Sequence, residues 1–156
     1  MSTDRAREVR AGLARTRRYL LAHHEPDEWD RCHTIRLRGA PVRLCARCSG
    51  VYPGIAGGVA LALSGTATGL WPWLVALGPL PALVDWAATT LGGREGSNAV
   101  RTLTGVTLGT AYGVAVPWLL TAWPLWLVAV AAGYGALAAA GLRASGDLDG
   151  SDGERV

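Results

Sequence analysis

Residues 100–120 read VRTLTGVTLGTAYGVAVPWLL, an apolar run with a single charge and glycines four residues apart. Its length is close to the roughly 20 residues that a helix needs to cross the hydrocarbon core of a bilayer. Gly105, Gly109 and Gly113 fall on one face of such a helix, and small residues let two helices approach closely in lipid. The run therefore predicts a transmembrane helix that packs through a glycine face.

Three further apolar runs have the length of a membrane span: about residues 50–70, 71–91 and 123–142. In the first of them, Gly54 and Gly58 repeat the four-residue glycine step. Together with the run above, they predict a bundle of four transmembrane helices over residues 50–142. The fold class expected is thus an all-α membrane protein.

Charge is almost absent from the part of the chain that contains the apolar runs. Half of the residues are hydrophobic and 17% are charged, whereas soluble domains carry about 25% charged residues. Within residues 50–142 four side chains are charged: Asp85, Arg94, Glu95 and Arg101. Because the other charges lie before and after this range, the middle of the chain is expected to meet lipid.

The positions of arginine and tryptophan predict how the chain crosses the membrane. Arg94 and Arg101 lie at the second loop, and Arg143 follows the fourth run. Arginine is enriched on the cytoplasmic side, so both termini of this multi-pass protein are expected inside the plasma membrane. Five tryptophans cluster at the opposite ends of the runs: Trp71, Trp73, Trp118, Trp123 and Trp126. Such a cluster is typical of the aromatic belt at an outer interface.

All three cysteines and all three histidines lie in residues 23–48, directly ahead of the first apolar run. Cys45 and Cys48 form a C-x2-C pair, and Cys32 precedes it with twelve residues between. Three thiolates and one imidazole complete the tetrahedron of a structural zinc site. Residues 27–49 therefore predict a small cytoplasmic Cys/His head that binds zinc, with other transition metals left open. The histidine ligand is one of three: His23, His24 or His33.

Two other interpretations of the cysteines stay open at this point. Cys45 and Cys48 also suit a redox dithiol, and the remaining alternative is that the three cysteines hold no ligand. A cytoplasmic location disfavours a stable disulfide because that compartment is reducing.

The head itself has the pattern of a β-hairpin. TIRLRGAPVRLC, residues 34–45, alternates apolar and polar side chains around a Gly-Ala-Pro turn, which places Ile35 and Leu37 opposite Val42 and Leu44. A two-stranded hairpin is marginally stable alone, so a metal or the membrane surface is expected to hold it.

A second polar group is predicted at the cytoplasmic ends of the helices. Asp85 lies inside the second apolar run, where an ionisable residue is costly and needs a partner. Arg101 is the expected partner, and Asn98 shares its helix face. These three are candidate catalytic residues in a pocket that opens toward the head; the alternative is a structural salt bridge between helices.

The two ends of the chain differ in charge. Residues 1–26 are arginine-rich and predict either a basic helix on anionic lipid headgroups or a solvated arm. Residues 143–156 predict an acidic, disordered tail. The expected partners are membrane lipids and not nucleic acid, and the glycine faces leave a homo-oligomer open.

Several of these motifs occur together in one known family. They are Cys32-His33, CARCSGVYPG at residues 45–54, Asp85 in PALVD, and REGSNAVRTLTG at residues 94–105. The chain, over about residues 23–113, resembles the prokaryotic membrane proteins of the domain of unknown function 2085 family. That family follows its Cys-His pair with glutamine, where Thr34 stands here, so His24 becomes a candidate ligand in place of His33. The resemblance implies a membrane fold with this site and implies no reaction.

Three functions are consistent with these features. The one favoured is a membrane protein with a zinc-type site, which handles metal or acts on a membrane-borne substrate. The first alternative is a membrane thiol–disulfide oxidoreductase that uses Cys45 and Cys48. The second is an oligomeric small transporter with Asp85 as its ion or proton site.

Overall fold

The computed structural model describes residues 7–9, 11–12, 24, 26–37 and 39–144. A 3-10 turn, Pro26–Arg31, leads into strands β1 (Cys32–Leu37) and β2 (Ala40–Cys45). The α-helices that follow are α1 (Ala46–Ser64), α2 (Trp71–Leu77), α3 (Leu80–Thr90), α4 (Asn98–Ala122) and α5 (Trp126–Ala144). The described chain is thus mostly helical, with one small sheet.

The predicted hairpin is confirmed as an antiparallel pair of β1 and β2. Ile35 lies opposite Val42 as expected, whereas Leu37 lies opposite Ala40. Gly39 makes the turn at φ 82°, a left-handed conformation that glycine adopts without steric cost. The all-α class was wrong in this respect, because the alternating pattern of the head pairs into a sheet.

Helices α1 and α4 pack together through glycine, as the four-residue steps predict. Gly54 and Gly58 on α1, and Gly105, Gly109 and Gly113 on α4, are all buried. A Cβ at Gly54 would overlap the backbone of α4 near Gly109, and one at Gly58 would overlap it near Gly113. The backbones are therefore in direct contact, and the matching order of the glycines shows that the two helices run parallel.

The second predicted span is divided into two helices. Gly78 and Pro79 separate α2 from α3, and Pro81 follows in the first turn of α3. Proline has no backbone N–H to donate to the preceding turn, so helical hydrogen bonding is interrupted here.

Two helices of the described chain, α4 and α5, are long and apolar enough to cross a membrane. Two of the four predicted spans thus meet this criterion. Helices α2 and α3 are too short separately, and Arg47, glycine and other polar residues lower the mean hydropathy of α1.

Helix α5 presents apolar side chains outward. Only 6% of its most apolar segment is buried, and Val128 and Leu137 are 53% and 58% exposed. A core helix of a soluble protein would bury such residues, so this surface is typical of a helix that meets lipid.

Three of the predicted tryptophans cluster at one end of the helices. Trp118 makes edge-to-face contacts with Trp71 and Trp126, at ring-centroid distances of 5.7 and 5.5 Å. Beneath them, Val75 and Val114 are part of the small apolar core. The Cys/His head lies at the other end, because α1 and α4 both begin there.

Some predictions fall on residues whose structure is not described. Residues 7–9 and 11–12 are helical, but most of the basic segment 1–26, including His23, lies outside the described residues. The acidic tail lies outside them from residue 145 onward.

Candidate functional site

The head is docked onto the first turn of α4 through Asn98. The Asn98 side-chain amide donates to the carbonyl oxygen of Asp30 at 2.7 Å, and that of Cys32 lies 3.4 Å away. Asn98, a candidate catalytic residue, therefore holds the backbone where β1 begins.

Thr102 makes a second attachment one helical turn further along. Its hydroxyl lies 2.9 Å from the carbonyl oxygens of both Ala46 and Asn98, and His33 Nε2 lies 2.8 Å from the same hydroxyl. Because the hydroxyl donates its one proton to a carbonyl, it accepts a hydrogen bond from the imidazole. Sequence reasoning missed Thr102, although its position four residues after Asn98 places it on the same helix face.

The three cysteines are brought together by the hairpin and the start of α1. Cys32 lies directly opposite Cys45 across the two strands, and the two residues are 6% and 3% exposed. Cys48 interacts with the Cys45 thiol from one turn into α1, and no disulfide bond joins any two of the three cysteines. A C-x2-C pair at a strand–helix junction thus turns both thiols toward the same space.

Of the two histidines that the structure describes, His24 is the one that reaches the thiols. His24 Nε2 lies 3.4 Å from Cys45 Sγ, and its Nδ1 is 3.0 Å from a carboxylate oxygen of Glu28. A carboxylate on the second ring nitrogen orients the imidazole, as it does for many metal-bound histidines. The structure therefore places His24 beside the cysteines and directs His33 to α4.

Burial controls the acidity of the thiols. Burial, and after it the neighbouring Cys45 thiol, raises the pKa of Cys32. Cys48 lies ahead of the predicted span, and burial followed by the Cys45 thiol raises its pKa to about 11. Both thiols are thus protonated at neutral pH when no cation is bound. Such groups differ from the activated, low-pKa thiolates of oxidoreductases.

The residues that the structure describes contain no group of three His, Cys, Asp or Glu side chains already arranged to hold a metal ion. The cluster is instead a set of hydrogen-bonded neighbours, with the Cys45 thiol between His24 and Cys48.

The partner of Asp85 is Arg47 and not Arg101, contrary to the sequence-based expectation. A carboxylate oxygen of Asp85 accepts a hydrogen bond from Arg47 Nη2, in an ion pair whose side chains are 7% and 29% exposed. Arg101 is 9% exposed and donates to the side-chain oxygen of Asn98 at 3.1 Å. The alternative of a transporter with Asp85 as its ion or proton site stays a prediction, with Arg47 as the partner of that carboxylate.

A cavity of about 250 Å³ separates the thiols from α3 and α4. Its wall includes six side chains of chemical interest: His24, Cys45, Cys48, Arg31, Arg47 and Arg101. We name it the arginine cavity. Asp85 and Asn98 do not line it, but each contacts one of its arginines.

The model of one protein family matches this chain. It is described as a predicted membrane protein family, domain of unknown function 2085 (DUF2085), and the match covers residues 29–115, more than half of the chain. The chain belongs to the DUF2085 family. The matched part of this DUF2085 protein runs from the head into α4, so it contains the three cysteines and the Asp85–Arg47 pair, while His24 and α5 lie outside it. No curated protein and no solved structure matches the chain significantly.

Proposed function

We propose that this DUF2085 protein is a multi-pass membrane protein that binds a zinc-type metal ion in its cytoplasmic head. The ligands are Cys32, Cys45, Cys48 and His24. The observation that carries the proposal is the contact of His24 with Cys45 at 3.4 Å, in a cluster where Cys45 also neighbours the other two thiols.

The spacing of these groups suits a tetrahedral ion. With Zn–S near 2.3 Å and Zn–N near 2.0–2.1 Å, the sulfur and nitrogen ligands of a tetrahedral zinc lie roughly 3.6 Å apart. The 3.4 Å between Cys45 Sγ and His24 Nε2 is close to that edge. Four protein ligands leave no position for water, so the metal serves to hold the head on α4. Any reaction would then take place beside the metal, in the arginine cavity.

Helix contacts support four membrane crossings. Helices α1 and α4 run parallel, so the chain has to return between them, and α2 with α3 is the only described segment long enough to do so. Gly78 lies against Ala111 in the middle of α4, while Asp85 reaches the start of α1. Helix α5 then crosses back from the tryptophan cluster toward the end where the head lies. Its Gly141 lies against Trp86 of α3 there.

Charge supports the cytoplasmic placement of the head. Arg94, Arg101 and Arg143 lie at the same end of the helices as the cysteines, and the tryptophan cluster lies at the other end. Arginine on the inside and tryptophan at the outer interface is the usual distribution in membranes, so the termini and the head are cytoplasmic in this proposal.

Metal content tests the proposal directly. Detergent-purified wild type is expected to contain about one zinc ion per chain, and Cys45→Ser/Cys48→Ser to contain none. A matched pair of histidine variants sharpens the measurement: His24→Gln should lose most of the metal, whereas His33→Gln should keep it, because His33 bonds Thr102.

The opposite results would reject the metal site. Wild type that contains no metal after incubation with zinc, or a double variant that binds as much zinc as wild type, contradicts it. Reversible oxidation of the thiols in a metal-free wild type would instead favour the oxidoreductase, for which the contact of Cys48 with Cys45 is the supporting observation.

Zinc binding should also release protons, because cysteine binds as the thiolate. Since the pKa values of Cys32 and Cys48 are raised, both thiols carry a proton at pH 7 and give it up to the metal. We expect about two or more protons per zinc, and an affinity that rises with pH from 6 to 8. Calorimetry in buffers of different ionisation enthalpy measures the number of protons released per zinc ion. A zinc affinity that does not change with pH would contradict thiolate ligation.

A further inference from the structure

The arginine cavity carries more positive than negative charge. Of its three arginines, Arg31 contacts Glu28 at 2.7 Å and Arg47 pairs with Asp85. Arg101 has no ion pair among the described residues, and its guanidinium donates to the neutral amide oxygen of Asn98. The cavity wall therefore has one guanidinium charge that no carboxylate of the described residues compensates.

Arg101 is also the most buried of the three arginines in the cavity wall. It is 91% buried, since 9% of its surface is exposed, and it lines the cavity near the start of α4. An unpaired charge in such a position is costly unless an opposite charge joins it. None of the described side chains around Arg101 supplies a carboxylate to pair with it. The cavity, however, provides space for a bound anion.

We propose that the arginine cavity binds a phosphate-type oxyanion, either free phosphate or the phosphate group of a lipid. The planar guanidinium of Arg101 provides paired N–H donors that match two oxygens of such a group. Arg31, whose side chain is 48% exposed, and Arg47 add further guanidinium N–H donors on the same wall. The proposal goes beyond the metal site, because guanidinium groups recognise the oxyanion without a metal ligand.

The size of the cavity agrees with this ligand class. At about 250 Å³ it is smaller than the roughly 300–1,000 Å³ of pockets that enclose a drug-sized molecule. It can admit a small ion or one headgroup. Trp86 and Val51 form an apolar part of the wall, which would contact the glycerol end of a lipid.

The test is a calorimetric titration with inorganic phosphate at constant ionic strength. The protein is full-length, zinc-loaded and solubilised in detergent. A second arm uses native mass spectrometry after addition of phosphatidic acid or of diacylglycerol, which lacks the phosphate.

Arg101→Gln is expected to weaken phosphate or phosphatidic acid binding about tenfold or more. Arg31→Gln, which removes a half-exposed lining charge and should fold normally, is expected to weaken it less. Arg36→Gln, an equal loss of charge on the exposed face of β1, should leave it unchanged.

Each outcome decides the proposal. Phosphate binding that depends on Arg101 and Arg31 supports a free oxyanion, and selective retention of phosphatidic acid over diacylglycerol supports a lipid headgroup. Binding of neither ligand, or binding that all three variants reduce equally, overturns it. Binding only after zinc is removed also overturns it, since the anion would then replace the negative charge of the thiolates. Zinc content measured on the same samples separates this result from failure of the metal site.

Discussion

Replacement of Gly58 by leucine is expected to abolish most of the folded protein, whereas the same change at Gly57 should be tolerated. A side chain at Gly58 would enter the backbone of α4 at Thr110 and Gly113, which cannot move unless the two helices separate. Overpacking usually costs about 1–3 kcal/mol, and a clash with backbone in the largest helix interface is expected to exceed that range.

Gly57 is the matched control because it is the adjacent residue of the same helix. Apart from the backbone of α1 itself, no atom of the described residues lies within 4 Å of a Cβ at Gly57, so leucine there does not meet α4. Its effect should stay within about 0.5 kcal/mol. The free energy of unfolding of both variants is measured in detergent, with tryptophan fluorescence as the signal. Similar losses at the two positions would mean that α1 and α4 do not meet through the glycine face.

Asp85→Asn is expected to destabilise the protein by about 3 kcal/mol, the lower end of the range for a broken buried ion pair. The lower end applies because Asp85 is 7% exposed but Arg47 is 29% exposed and retains some water. Among the described residues Arg47 Nε is buried with no hydrogen-bond partner, so loss of the carboxylate would leave the guanidinium poorly satisfied.

A double-mutant cycle identifies the partner. Arg47→Gln combined with Asp85→Asn should cost clearly less than the sum of the single changes, by about 0.5–3 kcal/mol. The matched cycle uses Arg101→Gln with Asp85→Asn, and there the costs should be nearly additive, because Arg101 bonds Asn98 and not Asp85. If instead the Arg101 cycle shows the coupling, the arrangement of α1 against α3 differs from that described above.

Local patterns predicted the elements that depend on neighbours in the chain. The hairpin follows from the two-residue alternation around Gly39, and the helix contact follows from the four-residue steps of Gly54, Gly58 and Gly105. These predictions were confirmed because the spacing of residues along one strand or helix decides which of them share a face, and one face of the element is buried. The division of the second run at Gly78–Pro79 was missed, although proline is itself a local signal.

The partners of the polar groups were less predictable. Asp85 was expected to meet Arg101 from the adjacent run, but parallel packing of α1 on α4 brings Arg47 to it from 38 residues away. The same docking turns His33 to Thr102 and leaves His24 beside Cys45. Such pairs depend on how three elements approach one another, which spacing along the chain does not encode.

The sequence by itself determined that the chain is built from apolar helices with glycine faces, that its charges lie at one end and tryptophans at the other, and that three thiols stand in one short segment. Those properties depend on composition and period, and each residue contributes to them separately. Only the tertiary structure decided which histidine reaches the thiols, which arginine neutralises Asp85, and that Arg101 is left buried beside a cavity. Hydrogen bonds and ion pairs act over a few ångströms, so these outcomes depend on the relative positions of packed elements.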